Sequence, residues 1–114
     1  MRARNVTRGT LLGGSIRPAD TFLLRLKGLI GEGGLGPGEG LWITPCRCIH
    51  SFGMRFPFDA VFVGRYGKVA GLCEDFPRNR VSRIFGGAKG VLELPAGTIA
   101  GTGTRVGDEI RLEP

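Results

Sequence analysis

The residues able to do chemistry gather in one stretch. Residues 45–54 read Pro-Cys-Arg-Cys-Ile-His-Ser-Phe-Gly-Met and hold the chain's one histidine, His50, with two of its three cysteines. If residues 46–50 are extended, Cys46, Cys48 and His50 project from one face, because strand side chains alternate with period two. Two thiolates and an imidazole are soft ligands suited to copper(I) or zinc, and Met54 could add a thioether. The spacing argues the other way. Structural zinc sites use Cys-x(2–4)-Cys with a second ligand pair, and here there is Cys-x-Cys alone. Buried cysteine also behaves as a small hydrophobe. Thiol catalysis meets a distance problem: Cys48 and His50 at i, i+2 on a strand stand roughly 6–7 Å apart, beyond hydrogen-bond reach. Cys73 is the other candidate nucleophile.

Two carboxylates complete the set. Asp59 interrupts the apolar run 56–62, Phe-Pro-Phe-Asp-Ala-Val-Phe, and is expected to be buried with a partner, either paired backbone N–H groups or an arginine. Glu93 lies between Leu92 and Leu94 and is expected, by simple alternation, to face solvent. The reading that weighs most is a binding pocket lined by His50, Met54 and Asp59, with Cys46 and Glu93 nearby and Trp42 as an apolar wall. The alternatives are the soft-metal or redox site at Cys46, Cys48, His50 and Met54, nucleic-acid association through Arg78, Arg80 and Arg83, and an enzyme whose substrate the residues do not name. No particular cofactor follows from the pattern.

The elements that must position these groups are short strands. Twenty-one glycines in 114 residues, against an average of roughly 7%, favour tight turns over long helices. Residues 58–63 and 68–73, joined through Gly64-Arg-Tyr-Gly67, predict a hairpin. Further strands are expected within 1–17 and at 41–44, 47–51, 90–94 and 108–112. Residues 74–85 form an arginine-bearing loop and 97–104 a glycine- and threonine-rich turn. A helix is predicted over 18–28, with Pro18 in its first turn, an apolar face made by Phe22, Leu23, Leu26, Leu29 and Ile30, and Gly28 ending it in the left-handed conformation. The glycine-rich segment 31–40 is a connector. It lacks the Gly-Lys-Ser/Thr ending of a phosphate loop and runs into a strand rather than a helix. About six or more strands and one helix predict a β-rich α+β domain over 1–114, built as a rolled sheet or small barrel.

A net charge of +6 raises the question of nucleic-acid or acidic-membrane partners, but the basic residues are dispersed, without a run of five or more. An odd cysteine count in a chain able to form its own core suits a reducing compartment, and no signal peptide or membrane span is evident. A cytoplasmic location is expected.

The segments 40–46 (Gly-Leu-Trp-Ile-Thr-Pro-Cys), 49–59 (Ile-His-Ser-Phe-Gly-Met-Arg-Phe-Pro-Phe-Asp), Val61-Phe62 and 91–97 (Val-Leu-Glu-Leu-Pro-Ala-Gly), with Gly107-Asp108 near the end, resemble the DUF192 family, also called UPF0127. The resemblance spans about residues 10–113. It implies a small β-rich domain whose activity is not established. Many members carry Trp-Met-Lys-Asn-Thr where residues 50–54 stand here, and Cys48 is outside the family pattern.

Overall fold

The computed structural model describes residues 1–21, 24, 28–29 and 33–114. Eight strands occur among them: β1 (Arg2–Asn5), β2 (Thr10–Gly13), β3 (Ser15–Ala19), β4 (Glu39–Ile43), β5 (Phe58–Gly64), β6 (Val69–Phe76), β7 (Ala88–Pro95) and β8 (Ile110–Glu113). They form two sheets rather than one closed barrel, a three-stranded sheet ordered β2-β1-β8 and a five-stranded sheet ordered β3-β4-β7-β5-β6. All pairings are antiparallel except β3 with β4.

The predicted hairpin is β5–β6, turned by a 3-10 turn at Arg65–Gly67. Every residue of β5 is buried, and so are five successive residues of β7, Gly90 to Leu94. These two strands lie at the centre of the larger sheet, and apolar clusters cover both of its faces. One cluster, including Val61, Val63, Leu92, Leu94 and Ile99, also takes in Ala3, Leu12 and Ile110 of the smaller sheet. The other, including Leu29, Leu41, Met54, Phe58, Ala60, Phe62 and Val91, is closed over by the connecting segments. Packing on both faces removes the polar–apolar alternation that a half-solvated strand shows.

Three expectations are corrected. Residues 47–51 are not a strand; they hold a single β-bridge, His50 to Val81. The turn expected at 97–104 contains a short helix, α1 (Thr98–Thr102), followed by Gly103 in the left-handed conformation. Pro18 does not start a helix. It lies in β3, an edge strand of the larger sheet, where a missing N–H is tolerated. Of the helix predicted over 18–28, Leu24 is helical. Gly28 N–H donates to the Leu24 carbonyl at 3.0 Å, and Gly28 takes φ +51°, the left-handed end expected. Thr21 Oγ1 accepts from Leu24 N–H at 3.2 Å and caps this turn in place of Pro18. Residues 22, 23 and 25–27 of that expectation, and 31–32 of the glycine-rich segment, lie outside the described residues.

Candidate functional site

Glu93 is the residue whose environment its chemistry does not explain. The strand register places it beside Leu41 of β4 and Ala60 of β5, and Ala60 in turn beside Cys73 of β6. Leu41, Glu93, Ala60 and Cys73 therefore form a row across one face of the larger sheet. Leu41 and Ala60 belong to the cluster on that face, and Leu29 packs into it. A Cβ built on Gly28 would stand 3.8 Å from Glu93 Oε1, so the Gly28–Leu29 turn lies over the carboxyl. Glu93 is 4% exposed, and its Oε1 has no hydrogen-bond partner among the described residues.

The expectation that Glu93 faces solvent is thus overturned. Leu92 and Leu94 fill the opposite cluster, and because that second face is also covered, alternation carries Glu93 from one core into the other. Burial disfavours the carboxylate and pushes its pKa from an ordinary 4.5 up to about 8. At neutral pH the group is mostly the neutral acid, able both to donate and to accept a hydrogen bond. On the same face burial raises the Cys73 thiol, partly offset by the positive charge of Arg83. With strands roughly 4.8 Å apart, the Cys73 backbone is about 10 Å from that of Glu93, and the small Ala60 side chain lies between them.

The other predicted site residues are dispersed. Asp59 projects toward the opposite face. Its Oδ1 accepts from Asp75 N–H and its Oδ2 from Ile99 N–H, both at 2.8 Å. The partner expected for it is thus a pair of backbone N–H groups, which fixes the end of β6 and the start of α1 to β5. Trp42 packs on that same cluster, half-buried. Met54 is buried on the Glu93 face. His50 is exposed and stacks on Phe52, with ring centroids 5.9 Å apart. Cys46 is half-buried and donates from Sγ to the Cys48 carbonyl at 3.0 Å, while Cys48 is exposed. Without a strand at 47–51, period two does not align these side chains. Among the described residues no three His, Cys, Asp or Glu side chains come close enough to hold a metal ion.

Arg78, Arg80 and Arg83 are exposed on the loop after β6. Arg80 donates to the Asn79 carbonyl at 3.3 Å and Arg83 to the Ile84 carbonyl at 3.2 Å. The Arg83 guanidinium also lies over the Phe85 ring, 3.9 Å from its centroid.

A polar cluster that local sequence reading missed joins the chain ends. Asp108 accepts two hydrogen bonds from the Arg8 guanidinium, one from Asn5 Nδ2 and one from Arg105 N–H. The Arg8 bonds, ahead of the others, hold the Asp108 carboxyl down at about 2. Asn5 and Arg8 lie about a hundred positions from Asp108, and the pairing of β1 with β8 brings them to it.

The model of the family described as Uncharacterized ACR, DUF192, matches residues 4–112. A UPF0127 protein of Thermococcus sibiricus is 32% identical over 120 residues, covering 96% of this chain and 73% of its own length. The chain belongs to the DUF192 family. Two solved structures have the same fold as this DUF192 chain. One, a protein of unknown function from Novosphingobium aromaticivorans, superposes with a TM-score of 0.78 at 24% identity, covering 85% of this chain and 74% of its own. The other, from Sinorhizobium meliloti 1021 and named as a candidate transcription regulator, gives 0.79 at 21% identity, covering 96% and 89%. Likeness at these identities carries the fold of the DUF192 chain and not an activity. Among the described residues no helix is long and apolar enough to cross a membrane.

Proposed function

We propose that this DUF192 protein is a small-molecule binding domain whose recognition group is the neutral carboxyl of Glu93. What supports the reading is one observation: a 4%-exposed carboxyl whose Oε1 has no hydrogen-bond partner among the described residues. A buried polar atom left unpaired costs roughly 1–3 kcal/mol and calls for an explanation, which a ligand that satisfies it would supply. Asp59, by contrast, has a backbone donor on each oxygen and acts as a structural tie.

The surroundings define the ligand class. Leu29, Leu41, Ala60 and Met54 offer apolar contact, and Cys73 shares the face. A neutral acid complements an N–H or O–H group, so the ligand is a mostly apolar molecule bearing one amide, hydroxyl or amine. An amine would take the proton from Glu93 and pair with the carboxylate it leaves. The test is a 15N-resolved NMR screen of the full chain with short aliphatic amides, alcohols and amines. Binders are expected to shift the amides of Leu41, Ala60, Cys73 and Glu93, and to be lost in Glu93→Leu. Binders that keep their affinity in Glu93→Leu, or that map elsewhere, overturn the proposal.

A further inference from the structure

On a different part of the surface, Pro45, Arg47, Arg65, Gly86, Gly87, Ala88 and Lys89 line a cleft of about 560 Å³. Its three ionisable side chains are all cationic. None of the three is ion-paired among the described residues, although other basic residues are: Arg2 with Glu113, Arg8 with Asp108, Lys68 and Arg111 with Glu109.

Backbone contacts hold the three cations together. Phe85 N–H donates to the Arg47 carbonyl at 2.7 Å, and Cys46 N–H to the Lys89 carbonyl at 3.1 Å. Ala88 N–H donates to the Phe85 carbonyl at 2.9 Å and closes the Gly86–Gly87 turn between them. Arg65 follows Gly64, which pairs with Ala88, and a Cβ on Gly64 would collide with the Gly87 carbonyl. Glycine at 64 thus lets the end of β5 bring Arg65 against the turn. At Gly86 nothing lies within 4 Å of where a Cβ would stand, so a ligand can reach bare main chain.

The geometry points to this cleft as a binding site for a small phosphorylated molecule of about mononucleotide size. A phosphomonoester carries close to two negative charges at neutral pH and matches three cations better than a carboxylate does. Guanidinium forks of Arg47 and Arg65 suit its oxygens, with Lys89 as a point charge. Glycine turns commonly receive such anions along the backbone. The volume lies within the range of small-molecule sites, about 300–1,000 Å³, and exceeds what an inorganic ion fills. Pro45 and Ala88 supply apolar wall for the rest of the ligand.

The test is NMR titration of the full 15N-labelled chain with inorganic phosphate, adenosine monophosphate, adenosine, sodium chloride at matched ionic strength, and a ten-nucleotide oligothymidylate. The monophosphate is expected to give saturable shifts at Gly86, Gly87, Ala88 and Lys89, with phosphate weaker at the same amides and adenosine and chloride silent. Arg65→Gln and Lys89→Gln should each weaken the monophosphate roughly tenfold, while Lys89→Arg and Arg78→Gln keep it. Shifts reproduced by chloride, or unchanged in both glutamine variants, overturn the proposal. So does an oligonucleotide that binds more than about tenfold tighter than the monophosphate and also shifts Arg78, Arg80 and Arg83, since that pattern assigns the surface to a nucleic-acid strand.

Discussion

Replacing Glu93 by glutamine should remove a pH dependence of stability that the wild type carries. In the folded chain the Glu93 carboxyl titrates at about 8 against an ordinary 4.5. Between those values the unfolded chain has released this proton and the folded chain retains it, so stability falls as pH rises. Linkage gives a loss attributable to Glu93 of about 4 kcal/mol between pH 5 and pH 9 as an upper bound, most of it spent by pH 8. Glutamine cannot ionise, so the variant lacks this slope. Urea unfolding followed by the chain's one tryptophan, Trp42, at pH 5, 7 and 9 measures both proteins. Every other titrating group is common to the two, and the difference isolates Glu93. The variant is expected to gain on the wild type by about 2–4 kcal/mol from the lowest to the highest pH. Two stabilities that run parallel within about 1 kcal/mol over that range would refute the reasoning.

Asp59→Asn keeps one acceptor where two backbone N–H groups need one each, and should cost about 2 kcal/mol in urea unfolding, with Asp59→Ala costing more. Gly71→Ala puts a methyl group into the ring of Phe85, which stacks on Phe62 with centroids 4.2 Å apart; a loss of about 1–3 kcal/mol is expected, and an unchanged midpoint would contradict the packing. Asp108, with a carboxyl lowered from 3.8 to about 2, contributes stability that is present above pH 3.8 and disappears as pH falls through about 2. Acid titration of stability in Asp108→Asn should therefore lack that part of the acid limb, and identical acid limbs would remove the Arg8–Asp108 contact from the account.

The β5–β6 hairpin was legible because two apolar runs flank a Gly-bounded turn. Asp59 was legible as a paired carboxylate because it interrupts an apolar run that fills both faces of a strand. Glu93 sits in a similar run and was misread, because alternation assigns a polar residue to solvent only where one face of the strand is wet. β7 lies between β4 and β5 with clusters on both sides, and that position is a property of the strand order, which local pattern does not carry. The signal that could have found it was the parallel with Asp59: in both strands a lone carboxylate stands among large apolar residues. The stretch 45–54 concentrated reactive residue types, yet it forms neither strand nor helix, so spacing said nothing about which side chains meet. The basic cleft is illegible for the opposite reason, since Arg47, Arg65 and Lys89 are scattered in sequence and converge through the backbone bonds of Phe85 to Arg47 and Cys46 to Lys89 and the contact of Gly64 with the Gly86–Gly87 turn.

The most direct measurement is the titration of the Glu93 side-chain carboxyl itself, by 13C NMR of the selectively labelled chain from pH 4 to pH 10. A midpoint near 8, with the carbon in its protonated position at neutral pH, is the predicted result. A midpoint near the ordinary 4.5 would mean that the carboxylate is solvated or already paired, and would contradict its role as an unsatisfied group that recognises a ligand.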